Sequence, residues 1–519
     1  MDTPITVKKV AQTAKRRVQS TREASHQVVD AIAGTLGMHG ERMSKVDTAW
    51  LRMDNESNLM MIVGVWVLKP GLSYQDLAQR LEERLLKYPR FKQCAVVDAA
   101  GASWVKDPNF DIANHLVIEK LPKAKSAKSA GREQEALQQR LGDLTMQPLD
   151  KSHPLWQMHL IEHYKGGSAL LFRFHHCIAD GIALVSVVQT LVDGGLPPPE
   201  RPHHVPHRHG LAGAEDWIAD SVLKPFTNLT VKVLEAAGQG AARSVDLLMH
   251  PKVGLEHGLH GTAHLAKIAL HALSDATQLA MLPNDSPTRL KGSLGQVKRV
   301  AWCAPLPLAD VKAVSKAMNC SINDVMLSCV AGAIGQYIKS KGDVAFGKEI
   351  RAMVPVNLRP IEKAYKLGNQ FGLAPLLLPI GLENPVERVY EVRRRMQALK
   401  GSTQPLLAFA VLGVAGLMAK SVQDAILGLF TSKTTSVMTN VPGPREKLSI
   451  CGSRVEESLF WVPQSGSVGL GVSILSYGGG VQFGVVSDAR LCPDPENIIS
   501  RFEPEFGKIS MVAMMLPRD

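Results

Sequence analysis

Apolar and polar positions change period several times along the chain. The run LMMIVGVWVL, residues 59–68, is apolar almost without interruption and predicts a buried strand. Residues 74–88 carry helical spacing that stops before Pro89, predicting an amphipathic helix. Short strands follow near 94–97 and 103–105, then a helix from about 131 to 143. LWQMHLIEHY (155–164) and SALLFRFHH (168–176) flank Lys165-Gly166-Gly167, a hairpin signal, and GIALVSVVQTLV (181–192) predicts the next helix.

The pattern breaks at GLPPPERPHHVPHRHG, 195–210, where proline and histidine mark a linker. Residues 211–282, rich in Ala, Leu and His, predict a helical excursion. Strand and helix resume with QVKRVAWCAPL from 296, helices over 307–318 and 322–340, strands in EIRAMVPVNLRP and NQFGLAPLLLPI, and a helix near 384–399. SVMTNVPGP, SVGLGVSILSYGGGVQFGVVSDA and a terminal helix close the chain. The expected organisation is a basic extension (1–43), a first domain (44–195), a linker and helical segment (196–295) and a second domain (296–519). Strands alternating with helices in both halves predict the α/β class with mixed sheets.

Composition narrows the picture. At 519 residues, with 45% hydrophobic and 21% charged residues, the chain has the length of two domains and the balance of a globular protein. Its net charge of +11 suits an anionic partner: nucleic acid, an acidic membrane surface or a phosphate-bearing substrate. Aromatics are only 5% and nucleic-acid-binding motifs are missing, which argues against nucleic acid. The seven cysteines form no CxxC pair, pointing to reduced thiols in a cytoplasmic protein and to no zinc site. His203, His204, His207 and His209 sit among prolines that interrupt any fixed ligand geometry. No apolar stretch reaches the roughly 20 residues of a membrane span. The longest, from Pro405 to Ala419, reads as a buried helix or as an interfacial or channel-lining one. The tail, with lysines at 8–9 and KRR at 15–17, reads equally as a solvated segment and as a membrane-surface element.

The candidate chemistry lies in RFHHCIADG, 173–181. Histidine is the natural general base near neutral pH, and a strand end running into a tight loop supplies its scaffold. Strand alternation sets Phe172, Phe174 and His176 on one face and Arg173, His175 and Cys177 on the other. His176 and Cys177 therefore point apart, which argues against a cysteine–histidine dyad and for Cys177 as a packing residue. Asp180 is placed to cap the helix starting at Gly181, and Gly181 permits a sharp turn or close backbone approach.

HHCIADG resembles the HHxxxDG motif of the CoA-dependent acyltransferase superfamily, to which chloramphenicol acetyltransferase, the condensation domains of peptide synthetases and the wax ester synthase/diacylglycerol acyltransferases belong. PLWQMHLIEH from Pro154, SINDVML (321–327), VPVNLRP (354–360), GNQFG (368–372) and TNVPGP (439–444) resemble further blocks of the last family, in its order, over about 44–515. The chain departs from it in the basic extension, in NLMMIVGV where many members carry Met-His-Val, and in the length of 196–290.

The resemblance implies two chloramphenicol-acetyltransferase-like domains with an active-site tunnel between them. It implies an O-acyltransferase that moves a fatty acyl group from acyl-CoA to a long-chain alcohol or diacylglycerol, without an acyl-enzyme and without a cofactor. His176 would be the base, and His175 and Asp180 would shape the loop, with Arg359 as the candidate partner of Asp180. Asn323 would hold the oxyanion, although Asn-Asp after Ser321 is also a capping pattern that makes Asp324 structural. The stretch Asn440, Val441, Pro442, Gly443 and Pro444 would lie near the site or be a plain turn. Pro154, Leu155 and Trp156 would support the first sheet, and Gly413 and Gly416 would give room in a substrate channel or allow close helix packing. Acceptors of this family are insoluble, so peripheral association with a membrane or lipid-droplet surface is expected. The rival readings are a carrier-protein-dependent condensation-type acyltransferase and a non-catalytic lipid-droplet-binding protein.

Overall fold

The computed structural model describes residues 40–98, 101–121, 130–195, 283, 285–358, 367–400, 408–409, 412–413 and 420–516. The first half contains β1 (Glu41–Arg42), α1 (Lys45–Arg52), β2 (Met61–Lys69), α2 (Tyr74–Glu83), β3 (Gln93–Asp98), β4 (Gly101–Lys106), β5 (Leu116–Glu119), α3 (Ala130–Met146), β6 (Trp156–Tyr164), β7 (Gly167–His175) and α4 (Gly181–Leu191). The second contains β8 (Lys298–Trp302), β9 (Leu306–Pro307), α5 (Leu308–Ala317), α6 (Ile322–Ser340), β10 (Ile350–Asn357), β11 (Phe371–Leu378), α7 (Pro385–Lys400), α8 (Lys420–Thr431), β12 (Ser436–Pro442), β13 (Ser449–Ile450), β14 (Ser453–Trp461), β15 (Leu470–Tyr477), β16 (Gly480–Asp488) and α9 (Glu496–Met515). The fold is mixed α/β, as the alternation of elements predicts.

The strand β2 is apolar throughout because both its faces are covered. Met61, Val63, Val65 and Val67 pack with Leu137, Leu141 and Leu144 of α3, while Ile62, Trp66 and Leu68 face the opposite core with α1 and α4. The predicted hairpin forms by antiparallel pairing of β6 and β7, reversing at Lys165 and Gly166, both with positive φ. The helix expected over 74–88 ends at Glu83 and gives way to a short 3-10 turn, Leu85–Lys87. Tyr88, preceding Pro89, is extended, as proline demands of its neighbour.

Two large sheets carry the molecule. One runs β13-β14-β2-β7-β6-β5; the other runs β11-β10-β12-β15-β16-β8, with β9 added on β16. Both mix parallel and antiparallel pairs. A small β1-β4-β3 sheet flanks the first. The helices α6, α7 and α9 cover the second sheet with a core that includes Val330, Ile334, Val389, Phe502 and Ile509. Two buried ion pairs brace this half, Lys298 with Asp488 at 3.3 Å and Arg388 with Glu505.

The sheets do not respect a boundary between 44–195 and 296–519. β14 belongs by sequence to the second half, yet it pairs antiparallel with β2 and extends the first sheet. β1 likewise begins before residue 44. The expected helix over 211–282 lies outside the described residues. So does most of 405–419, of which 408–409 and 412–413 are helical. Among the described residues no single helix is long and apolar enough to cross a membrane.

Candidate active site

The site starts where β7 ends. His175 is its last residue, and His176 opens the turn to α4. The turn is held from three sides. The N–H of His176 donates to the Met60 carbonyl at 2.7 Å, and the N–H of His175 to the Leu155 carbonyl at 2.9 Å. The amide of Asn369 donates to the His176 carbonyl at 2.7 Å. Asn369 is itself fixed by buried Asp47 of α1, whose Oδ1 accepts the Asn369 N–H at 3.0 Å and its side-chain amide at 2.7 Å.

The two histidines have opposite surroundings. The ring of His176 is 2% exposed, stacks on Trp50 with centroids 4.2 Å apart and planes 16° apart, and meets Phe371 at 5.4 Å. Burial among these rings pushes its pKa down to about 4, and Asn369 and its own carbonyl do not cancel that effect. The ring is therefore neutral at any ordinary pH and offers a lone pair. His175 faces Asp54, with Nε2 3.3 Å from Oδ1, while its Nδ1 accepts the Cys177 N–H at 3.2 Å. Burial disfavours charge there, but Cys177 and the Asp54 carboxylate outweigh it and raise its pKa. Asp54 also accepts the Met60 N–H at 2.7 Å, so it clasps both strands that frame the turn. Cys177 is wholly buried in the apolar core, in keeping with a packing role.

Asp180 caps α4, its Oδ1 accepting the Ala183 N–H at 2.9 Å. Its Oδ2 reaches across to the second half and accepts the Gln370 N–H at 3.0 Å. Ala179 and Gly368 form a parallel bridge beside it, with Gly368 at a φ of 103°, which a side chain rarely adopts. The GNQFG block is thus the strap that ties the second half onto the histidine loop. Arg359, the expected partner of Asp180, lies outside the described residues, as does Gly416. Gly413 is helical and buried. Gly181 differs from expectation. Its φ is not positive, and a Cβ there would meet only Phe460 at 3.6 Å, so neither turn geometry nor crowding demands glycine.

Pro154, Leu155 and Trp156 support the loop from beneath. Leu155 holds His175, and the Trp156 indole donates to the Phe91 carbonyl at 2.9 Å while its ring stacks on His115 and Phe174. Ser321 and Asp324 form the capping box of α6, through bonds of 2.9 and 3.2 Å. Asp324 is therefore structural. Asn323 turns away from that box, and its Oδ1 accepts the side-chain amide of Asn440 at 2.5 Å. Gly443 allows a close approach: its N–H donates to the Ser476 carbonyl at 2.8 Å, and a Cβ would sit 2.5 Å from that oxygen. Pro442 ends β12 opposite Ser476.

No direct bond joins the Asn323–Asn440 pair to His176 among the described residues, but the sheet register brings them to one end. Phe371, against the His176 ring, pairs with Asn357 at the end of β10. The parallel match of Met353 with Val437 sets Asn440 beside that same end. Phe371 on β11 and Asn440 on β12 thus flank β10 at one end of this sheet, two strand spacings of roughly 5 Å apart. Trp50, Asp47, Asp54 and Asn369 are site residues that spacing did not single out. Asn369 sits within the GNQFG block, whereas Trp50 and Asp47 are ordinary residues of a short amphipathic helix.

The turn after β7 thus gathers the HHxxxDG residues, with a buried histidine of lowered pKa, an aspartate capping the next helix and a strap from the second mixed sheet. Residues 43–326 match the wax ester synthase/diacylglycerol acyltransferase catalytic domain, and residues 367–510 match the WS/DGAT C-terminal domain. The chain belongs to the wax ester synthase/diacylglycerol acyltransferase family, and is an acyltransferase. A probable diacylglycerol O-acyltransferase of Mycobacterium tuberculosis is 24% identical over 482 residues, 91% of this chain and 96% of that protein. Wax ester synthase/diacylglycerol acyltransferase 5 of Arabidopsis thaliana is 24% identical, covering 87% of this chain and 90% of its own length. The structure of the wax ester synthase/diacylglycerol acyltransferase from Marinobacter aquaeolei VT8 superimposes with a TM-score of 0.59 at 19% identity, over 91% of this chain and all of that one. A condensation domain of the calcium-dependent antibiotic synthetase shares the fold at 0.52 and 13% identity, over 93% of this chain and 97% of its own.

Proposed function

We propose that the chain transfers a fatty acyl group from acyl-CoA to the hydroxyl of a long-chain alcohol or diacylglycerol, with His176 as general base. The carrying observation is His176: its ring is buried, neutral and stacked on Trp50, and its backbone carbonyl is held by Asn369. The ring takes the hydroxyl proton as the oxygen attacks the thioester carbonyl. The tetrahedral intermediate then expels the CoA thiolate, which receives the proton from His176. The C–O bond forms, the C–S bond breaks, and no acyl-enzyme or cofactor enters the balance. Asn323, oriented by Asn440, is the proposed donor to the oxyanion. Asp180, His175 and Asp54 hold the loop.

The insoluble acceptor and the net charge of +11 favour peripheral work at an anionic membrane or lipid-inclusion surface, from the cytoplasmic side. Cosedimentation with phosphatidylglycerol vesicles, lost in high salt, is the expected behaviour.

The test is thiol release from palmitoyl-CoA with hexadecanol or dioleoylglycerol, with the lipid products separated by chromatography. Wild type forms ester, and His176→Ala loses it by roughly 100-fold or more. Turnover that depends on an acyl-carrier protein instead of acyl-CoA would favour the condensation-type reading. Unchanged turnover in the variant would remove His176 from the chemistry.

A further inference from the structure

Three carboxylates surround the His176 turn. Asp54 is matched by His175, and Asp180 caps α4 and takes the Gln370 N–H. The third is Asp47 of α1, which is 4% exposed. Its Oδ1 accepts both the backbone N–H and the side-chain amide of Asn369, at 3.0 and 2.7 Å, a double acceptance that suits an ionised oxygen. Burial raises its pKa, against the bonds to Asn369 and Ser44 and the field of Arg90. Among the described residues Asp47 forms no ion pair, since Arg90 pairs with Glu41 and lies over the Trp104 ring. A buried anion without a cation is costly. Fastening Asn369 does not require that charge, because an uncharged amide oxygen accepts the same two bonds.

The Asn369 amide that donates to Asp47 also donates to the His176 carbonyl at 2.7 Å, so one amide group stands between the anion and the proposed base. The helix sets them side by side as well. Trp50, three residues after Asp47 and on the same helix face, stacks on the His176 ring at 4.2 Å. On the other flank Gly368 lets the strap pass close to the carboxylate, where a Cβ would stand 3.4 Å from Oδ2. We infer that Asp47 is a positioning residue whose carboxylate, acting through Asn369, steadies the positive charge that His176 gains on taking the hydroxyl proton. The inference rests on the acyl-transfer reading above. Burial keeps the resting ring neutral, so the counter-charge matters only while the proton sits on His176, in surroundings where a fixed anion is weakly screened. The proton then leaves with the CoA thiolate, and Asp47 is ionised throughout. The other charged group acting on His176 is His175, which Asp54 already balances.

Asp47→Asn keeps the shape and an acceptor for Asn369 and removes the charge. Single-turnover rates are measured with palmitoyl-CoA and two acceptors, hexadecanol and its more acidic 2,2-difluoro analogue. Without its counter-charge His176 is a weaker base, and a more acidic hydroxyl leans less on the base. The expected result is a loss of about tenfold with hexadecanol and a clearly smaller loss with the difluoro alcohol. Binding of an uncleavable hexadecyl-CoA thioether stays unchanged. Asn369→Ser breaks the link, leaves the carboxylate in place and gives the same selective loss. Equal losses with the two alcohols reduce Asp47 to a structural fastener and overturn the inference. So does an unchanged rate, or an Asp47 carboxyl found protonated at pH 7 in the infrared difference between wild type and Asp47→Asn. Should Asp47→Asn not fold, Asn369→Ser with the same two alcohols decides. A wild type that forms no ester at all defeats the acyl-transfer reading itself, which is a separate result.

Discussion

At the scale of single residues, the chemistry depends on one imidazole being kept neutral. Its pKa lies near 4 in the folded chain against an ordinary 6.5. Activity limited by this group is therefore flat from pH 8 down to about pH 5 and falls only below that, as a kcat/KM profile will show. A fall centred near 6.5 would mean the ring is solvated. The same shift acts on stability. The folded state resists protonation, so stability is complete above about pH 6.5 and declines as pH falls toward 4, by roughly 3 kcal/mol for this one group. Denaturant melts of wild type and His176→Phe, compared at pH 7 and pH 4.5, will show the acid loss reduced in the variant. The histidine itself was legible from HHCIADG, because general base chemistry at a strand end needs that residue type. Its low pKa was not, since Trp50 and Phe371, which desolvate it, lie 126 residues before and 195 after it.

At the scale of elements, Asp180 does two jobs with its two oxygens, capping α4 and accepting the Gln370 N–H. Asp180→Ala loses both and destabilises by about 1–2 kcal/mol, read in a denaturant melt. Asp180→Asn keeps one acceptor for the cap but sets an amide against the Gln370 N–H. Its activity falls at least about tenfold with a smaller stability change, because the strap that positions Asn369 and Phe371 shifts. Activity falling no further than stability would reduce Asp180 to a cap. The cap could be read from the sequence, since Asp before an apolar helical run is a local signal. The bond to Gln370 could not, because it joins positions 190 apart. Helix and strand bounds followed the period of the apolar pattern closely for β2, β6, β7 and α6. The helix α2 stopped at Glu83, short of the apolar spacing, and a 3-10 turn over Leu85–Lys87 leads into the extended Tyr88 that Pro89 requires.

At the scale of the whole molecule, the halves share a sheet. β14 completes the first sheet against β2 along seven paired positions, from Arg454 with Lys69 to Trp461 with Val63. A chain ending at residue 195 therefore leaves β2 as an open apolar edge. It will be insoluble or protease-sensitive when made alone, and coexpression with residues 283–519 will restore protection and activity. Independent folding of 40–195, seen as a cooperative melt, would contradict this. β14 escaped the reading of periodicity because SRVEESLFW carries Arg454, Glu456 and Glu457 amid its apolar positions. Its strand identity comes from a partner nearly 400 residues away rather than from its own pattern.

The sequence by itself determined most element types among the described residues, the mixed α/β class and the HHxxxDG histidine, because each depends on local spacing and residue chemistry. Its family resemblance also carried the acyltransferase activity. Only the tertiary structure decided that Asn369 and Asp47 fasten the His176 turn, that Trp50 stacks on the His176 ring, and that β14 crosses to the first sheet. Those contacts join segments far apart in the chain, and no local pattern specifies which distant neighbour a buried group will meet.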